Sequence, residues 1–372
     1  MAQILIVDDD PHIIQQLTVL AHSFGCTPLS TLYPDYLFEI LESEPIDLIL
    51  LDVHMPGTDG VELLNRLKSH PIHQKIPVIM LTGDTNIKLL AKCFQGGATD
   101  FINKPIKEVV LQSRVLSALK MQEYVKKLEE LTLQLQDELK LAEKVQRATI
   151  HSQIELPFLE TAKLYVPYGQ VSGDIYDLSL TRNQSLNVFL GDATGHGVSA
   201  ALITMMVKMG LNSINSELST NKVIHQLNQL LSTCIPLNMF VASIFMRITA
   251  DGKMRCSNGG IPPVIIVPKH KEPVTIFGTG IILGVKKSVR YSESIYQLEP
   301  GDKVFVYTDG ITECLQDEEP FGMPRLIEFL GANASLDMDT MLNDLLKHLT
   351  HFTGEQEFED DITMLGFQYH AE

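Results

Sequence analysis

The sequence predicts an α/β doubly wound domain, a helical connector and then an α+β layered domain. Three observations carry this. Up to about residue 118, short β-branched runs alternate with amphipathic segments, the rhythm of a parallel sheet covered on both faces. From about Leu119 to Thr149 the chain has no Gly or Pro and is rich in Lys, Glu, Leu and Gln. Beyond Ile154 strands cluster with strands and helices with helices, which fits a layered domain rather than a second parallel sheet.

Taken in order, the first part reads "QILIV", a helix from Pro11, "DLILLDV", a helix from about Gly60, "PVIMLT", a helix from about Asn86, and "DFIN". Four strand runs are thus legible, and a rhythm of five repeats predicts a flavodoxin-like sheet, whose chemistry gathers at the carboxyl ends of its strands. In the connector, Val125, Leu128, Thr132, Leu135, Leu139, Ala142, Gln146 and Thr149 alternate spacings of three and four, a heptad seam. It reads either as a self-associating coiled coil or as one amphipathic helix packed on its own domain, and Thr132, Gln146 and Thr149 weaken the seam. The last part reads as strands, then helices at about 198–216 and 221–234, then more strands, "FVASIFMRI", "PPVIIV", "SIYQL" and "KVFVYT". A helix near 339–351 and a final strand "ITMLGFQY" complete it. The expected boundaries are 1–118, 119–150 and 151–372.

At 372 residues the chain is too long for one compact core, and its 45% apolar residues can fill two. A formal charge of −17 argues against nucleic acid and anionic membranes as partners, because both call for a basic face. No stretch approaches the roughly 18 apolar residues of a membrane span, and "MAQILIVDDD" lacks the basic flank of a secretory signal. Cys26, Cys93, Cys234, Cys256 and Cys314 show no CxxC spacing and read as reduced thiols of a cytoplasmic protein.

Asp8 and Asp9 end the first strand, Asp52 the third and Thr82 the fourth, and Lys104 follows the fifth in "NKP". A doubly wound sheet brings all of them to one rim. Clustered carboxylates there suit Mg²⁺, which lowers the repulsion between Asp52 and an incoming phosphoryl group. Thr82 can bond a phosphoryl oxygen and Lys104 can offset its charge. Singly, each acid also reads as a strand terminus or a helix cap. Through "VDDD", "LLDVHMPGTDG", "LTGD" and "DFINKP", residues 1–118 resemble a response-regulator receiver domain of a two-component phosphorelay. The resemblance implies that Asp52 is the phosphoacceptor and that Asp8, Asp9 and the His54 backbone carbonyl hold Mg²⁺. It also implies that Thr82, Phe101 and Lys104 form the receiver switch and that a sensor histidine kinase is the phosphoryl donor.

Four acidic places mark the second half: Asp174 in "VSGDIYD", Asp192 in "GDATGHG", Asp309 in "VYTDGITE", and the pair Asp360 and Asp361 in "EDDITML". Asp192 and Asp309 follow apolar strand runs, whereas the pair precedes one. A layered fold can converge them, and so many carboxylates together are tolerable only around metal. Two Mn²⁺ or Mg²⁺ ions there would activate a water and hold phosphoryl oxygens for in-line attack. Gly191, Gly195 and Gly197 around Asp192 read as clearing room beside the carboxylate.

These motifs, with "CSNGGIPPVII", "GTGIILGV" and the lead-in "ELKLAEKVQRATIHSQIELP", are similar to the PPM superfamily of metal-dependent serine/threonine phosphatases. That superfamily includes protein phosphatase 2C, and the similarity is closest to its SpoIIE-like branch, which implies a layered β-sandwich. By this resemblance Asp192 bridges the two ions, the Ala193 backbone carbonyl is a neighbouring ligand, and Asp174, Asp309 and Asp360 complete the set. Ser172 stands where the family has glycine, and the pattern favours Asp360 over Asp361. Asp177 reads as a turn former or a ligand, and His196 as an acid/base or a residue fitting the glycine turn. His348, His351 and Glu355 lack a fourth ligand for zinc. Met205, Met206 and Met209 read as core.

Together the two resemblances imply a receiver whose phosphorylation at Asp52 controls a phosphatase through the connector, with a homodimer formed along the seam. The implied substrate is a phosphoserine or phosphothreonine protein, in the usual bacterial case an anti-sigma-factor antagonist. The alternative is a non-catalytic adaptor that binds a sigma factor or its regulator under receiver control. A DNA-binding regulator would need a basic recognition helix after the receiver, and the sequence has none.

Overall fold

The computed structural model describes residues 1–83, 87–149, 154–354 and 358–371. The chain divides into two compact units, Met1–Leu135 and Gln136–Glu372.

In the first unit, β1 (Gln3–Val7), α1 (Pro11–Ser23), β2 (Thr27–Thr31), α2 (Leu37–Ser43) and β3 (Leu48–Asp52) are followed by α3 (Gly60–Lys68). Then come β4 (Val78–Thr82), α4 (Ile87–Gln95), β5 (Asp100–Asn103) and α5 (Glu108–Thr149). All five strands are parallel, in the order β2-β1-β3-β4-β5. Strands covered on both faces need apolar side chains at every position. Accordingly Leu5, Val7, Ile49 and Leu51 pack into one core, and Ile4, Ile6, Leu48 and Leu50 into the other. The apolar pattern does not signal β2, "TPLST"; an edge strand tolerates its proline. The Asp10 side chain accepts from the His12 N–H at 2.8 Å and caps α1, so one acid of the "DDD" run serves the helix. The "LTGD" aspartate and the expected helix start at Asn86 lie outside the described residues.

Helix α5 is continuous for 42 residues and reaches back to Glu108, ahead of the expected connector. Leu111, Val115 and Ala118 anchor its first turns in the core of the first unit. Farther on, Val125, Leu128 and Leu135 are exposed, at 43%, 64% and 59%.

The second unit consists of two antiparallel five-stranded sheets between helices. Its elements are β6 (Leu159–Val166), β7 (Asp174–Leu180), β8 (Leu186–Ala193), α6 (Val198–Ser213), α7 (Thr220–Cys234), β9 (Val241–Ile248) and β10 (Lys253–Gly259). They continue with β11 (Val264–Val267), β12 (Val274–Ile276), β13 (Ser294–Gln297), β14 (Lys303–Tyr307), a one-turn helix α8 (Gly310–Glu313), α9 (Gly322–Ala332), α10 (Met338–Phe352) and β15 (Ile362–Tyr369). The strand orders are β13-β10-β9-β8-β7 and β12-β11-β14-β15-β6. Strand β14 shows the layering: Val304 and Val306 face the core shared with the other sheet and α6–α7, while Phe305 and Tyr307 face α9 and α10. The α+β sandwich expected from the sequence is therefore present, together with a helix, α9, that its reading did not separate.

Candidate functional site

In the first unit the strand ends converge as expected. Asp8, Asp9 and Asp52 place carboxylate oxygens within 4.8 Å of one another, and this is the one such acidic trio among the described residues. Asp8 and Asp52 are buried and Asp9 is exposed. Lys104 joins them, its Nζ lying 2.8 Å from Asp8 Oδ2 and 3.0 Å from Asp52 Oδ1. The remaining Asp8 oxygen accepts from the Asp10 N–H at 2.9 Å. Burial pushes the Asp52 carboxyl above its usual range, Lys104 opposes this, and the Asp8 charge adds to it. A trio of hard oxygen donors fits a divalent cation of the Mg²⁺ kind. His54 follows in a two-residue strand paired with Thr58–Asp59, its side chain exposed. Thr82 ends β4 fully buried, and its carbonyl accepts from the Lys104 N–H at 2.7 Å. Phe101 is half-buried, edge-on to Phe94 at 5.8 Å and under the Arg114 guanidinium.

In the second unit, Asp174 opens β7 and faces Asp192 of β8 directly across the antiparallel register. Asp174 is 1% exposed, and its Oδ2 accepts from the Thr308 hydroxyl at 2.8 Å, just before Asp309. Burial, and after it the Asp192 charge, holds the Asp174 carboxyl well above the carboxylate range. Asp192 is pushed up to about 7 by burial, with Asp309, Asp360, Asp361 and Glu313 adding in turn. Although both are exposed by surface area, partial desolvation also raises Asp360 and Glu313, and each of these feels Asp309. Acids from four distant stretches therefore share one electrostatic centre, and the largest charges acting on Asp192 are all negative. That donor set, held without a nearby lysine or arginine as dominant counterion, fits divalent cations. Its carboxylates are spread more widely than those of the receiver trio.

The paired acids differ in their surroundings. Asp361 is buried, and its two oxygens accept from the Tyr168 N–H at 2.8 Å and the Gly173 N–H at 2.7 Å. Asp360 is exposed; one of its oxygens accepts only from the Asp361 N–H. Asp361 thus holds the backbone beneath Asp174, and Asp360 remains open to a ligand. We expect Asp361→Asn to destabilise the metal-free protein by about 2–4 kcal/mol, because the charged acceptor is lost from one buried and one partly buried N–H donor. Asp360→Asn should leave its melting temperature unchanged or slightly raised, since a like charge is removed. Thermal melts of the two variants check this.

Two glycines that the sequence reading passed over are required here. A Cβ on Gly173 would lie 2.9 Å from the Ala193 carbonyl oxygen, and one on Gly310 only 2.1 Å from that of Asp361. Gly195 and Gly197 adopt φ of +85° and +77° with open space around them, so they are there for the turn. Gly191 corrects the expectation of cleared room: its Cβ position faces Phe189 and Val241 in the core. Asp177 is no member of the acidic centre but pairs with Lys208 of α6 at 2.6 Å. His196 is exposed, edge-on to Tyr168 at 5.8 Å, and its charge acts on Asp360. His348 packs against Phe321 and Phe329, and Glu355 lies outside the described residues. Met205 and Met206 are partly buried, whereas Met209 is 70% exposed and does not fill core.

The residue the sequence reading missed is Gln146. It appeared only as a weak position of the seam, yet it is 4% exposed. Its Nε2 donates to the Ser172 carbonyl at 2.7 Å and the Thr204 hydroxyl at 3.0 Å, and its Oε1 accepts from the Ser172 N–H at 3.0 Å. The Ser172 hydroxyl in turn accepts from the Asp174 N–H. One turn of α5 is thereby tied to the loop that carries Asp174 and to α6. A polar side chain at a seam position was the available signal.

Comparison with known proteins places both units. Residues 182–370 match the SpoIIE family, Stage II sporulation protein E, and residues 4–116 match the response regulator receiver domain. The phosphoserine phosphatase RsbU of Bacillus subtilis is 25% identical over 240 residues, 62% of this chain and 70% of that protein. The SiaA-PP2C domain of Pseudomonas aeruginosa superposes with a TM-score of 0.57 at 19% identity, covering 64% of this chain and 98% of that domain. The RsbU and RsbW domains of Rv1364c from Mycobacterium tuberculosis give 0.51 at 21% identity, over 58% of this chain and 61% of that structure. At these identities the two structures speak for the fold. With its motif acids gathered on a shared layered scaffold and more than half its length matched, the chain belongs to the SpoIIE family of PPM-type phosphatases and carries a response-regulator receiver domain at its N-terminal end.

Proposed function

We propose that the protein is a response regulator in which phosphorylation of Asp52 controls a metal-dependent protein serine/threonine phosphatase. The carrying observation is the convergence of Asp174, Asp192, Asp309 and Asp360 into one centre whose dominant charges are all negative. Receiver, connector and phosphatase correspond to residues 1–118, 119–150 and 151–372. Divalent ions, Mn²⁺ or Mg²⁺, when bound there in a pair, supply polarisation of phosphoryl oxygens and activation of water. Asp192, the Ala193 carbonyl, Asp174, Asp309 and Asp360 would hold the ions, and Thr308 orients Asp174 by its hydroxyl bond. Asp361 and Gln146 fix the backbone at Gly173 and at Ser172 just before it.

In the receiver, Asp8, Asp9 and the His54 carbonyl would hold Mg²⁺ beside Asp52, a sensor histidine kinase would supply the phosphoryl group, and Lys104 with Thr82 would receive its charge. Phe101 then responds as the switch. The substrate is a phosphoserine or phosphothreonine protein, an anti-sigma-factor antagonist by similarity to the RsbU phosphatase. The exposed Val125, Leu128 and Leu135 support a homodimer along α5. No helix among the described residues is long and apolar enough to cross a membrane. We place the protein in the cytoplasm because a sensor histidine kinase would load the receiver there.

The test is Mn²⁺-dependent release of phosphate from a phosphoserine peptide, measured before and after treatment with beryllofluoride or an acyl phosphate. We expect hydrolysis with the metal and none after chelation, with a rate that changes severalfold on treatment. In Asp52→Ala that change should vanish. Metal-independent rates, or equal rates for treated and untreated wild-type protein, would defeat the reading.

A further inference from the structure

At the end of the second sheet opposite Asp309 lies a cavity of about 910 Å³, bounded by the start of β14, the end of β11, the end of β15 and the loop before α10. Along β14 it is six residues, about 20 Å of extended chain, from the acidic centre. Lys303 lines it and is 2% exposed. Its ammonium donates to the Leu336 carbonyl, and no carboxylate among the described residues lies in ion-pairing reach. An ammonium carries three donors, so two are left without a protein acceptor among those residues. Burial draws the Lys303 ammonium below its ordinary range, the mark of a cation lacking full compensation, although Glu160 and Asp337 work in the other direction.

Those two acids are otherwise engaged. Asp337 caps α10, accepting from the Thr340 N–H at 2.9 Å, while Glu160 takes the Met338 N–H at 3.4 Å and lies 3.6 Å from His370. At the rim, Lys269 and His270 are exposed and their side chains have no recorded partner among the described residues. Gly301, at φ +97°, leaves room for the Lys269 stem: a Cβ there would fall 2.7 Å from Lys269 Cδ. The chain therefore brings one buried and one exposed ammonium to a single polar cavity and commits its nearby acids elsewhere.

We propose that this cavity binds a small molecule through an oxyanion, a phosphate or carboxylate group seated on Lys303 with Lys269 closing over it. Burying a charge is costly unless a counter-charge with good hydrogen bonds accompanies it, and an oxyanion supplies both. The acidic centre repels anions when free of metal, so in the metal-free protein the part of the binding that Lys303→Met weakens reports on this cavity.

The experiment is isothermal titration of the full chain, freed of metal on a chelating resin, with inorganic phosphate and separately with citrate, against sodium chloride at matched ionic strength. We expect saturable binding of at least one, weakened about tenfold or more in Lys303→Met and less so in Lys269→Ala. Binding of phosphate alone assigns a phosphoryl-bearing ligand, and binding of citrate assigns a carboxylate-bearing one. Should Lys303→Met fail to fold, Lys269→Ala, exposed and without a structural partner, carries the test. No binding beyond the chloride control, unchanged affinity in the variants, or a signal lost in Asp192→Asn instead would overturn the assignment.

Discussion

Asp192→Asn is expected to lower Mn²⁺-dependent phosphoserine hydrolysis by more than about a hundredfold, since even residues that merely support metal ligands are worth 10–100-fold. The same change should stabilise the metal-free protein. Its cause is the crowd of acids around Asp192, which with burial raises that carboxyl to about 7. A folded-state pKa above the unfolded value means that the native protein binds the extra proton. That stabilising contribution is complete below the ordinary aspartate range and fades as pH rises through about 7. Wild-type protein without metal should therefore melt lower at pH 8 than at pH 6, with Asp174 sharing in the effect. The asparagine variant should lose much of that slope and gain about 1–2 kcal/mol at pH 8. Added Mn²⁺ should raise the melting temperature of wild type and do so far less in the variant. Equal responses to metal would show that Asp192 is not a ligand, whatever the activity.

Gln146→Leu should reduce hydrolysis about 10–100-fold and weaken the apparent Mn²⁺ affinity along with it, because three buried polar groups on Ser172 and Thr204 lose their partner. The Ser172 hydroxyl holds the Asp174 N–H, so a loosened loop misplaces a ligand rather than removing one. Gln146→Glu keeps the acceptor for the Ser172 N–H and loses both donors, and should fall between wild type and leucine. Activity, metal titration and circular dichroism on the same samples separate this from unfolding. A Gln146→Leu protein with weakened folding but normal metal affinity would reduce Gln146 to a packing role.

What could be read without coordinates follows from what each residue answers to. Asp8, Asp52, Thr82 and Lys104 were legible because strand order alone carries strand ends to one rim. Asp192 and Asp309 were likewise placed by the ends of their strands. Strand β2 was hidden because an edge position asks for little apolar surface, and "TPLST" offers little. Gly191 misled because its neighbour Asp192 faces the site while it packs on Phe189 in the core; alternation along a strand puts adjacent residues on opposite faces. Gly173 and Gly310 were missed for the opposite reason, since what they avoid is backbone from remote segments, at Ala193 and Asp361. Asp361 and Gln146 depend on hydrogen bonds to Gly173 and Ser172 across long stretches of chain, which spacing cannot disclose. Met209 was assigned by helical period alone, and the face it occupies is one that α6 leaves uncovered.

Lys104 touches Asp8 and Asp52 at once, so the acidic pocket of the receiver has a resident counterion of its own. The catalytic lobe has no comparable substitute among the charges that dominate Asp192. Under magnesium and manganese starvation the two ends of the molecule should therefore diverge: the receiver stays compact and ready to be reloaded, and the other lobe, left with mutually repelling acids, softens first.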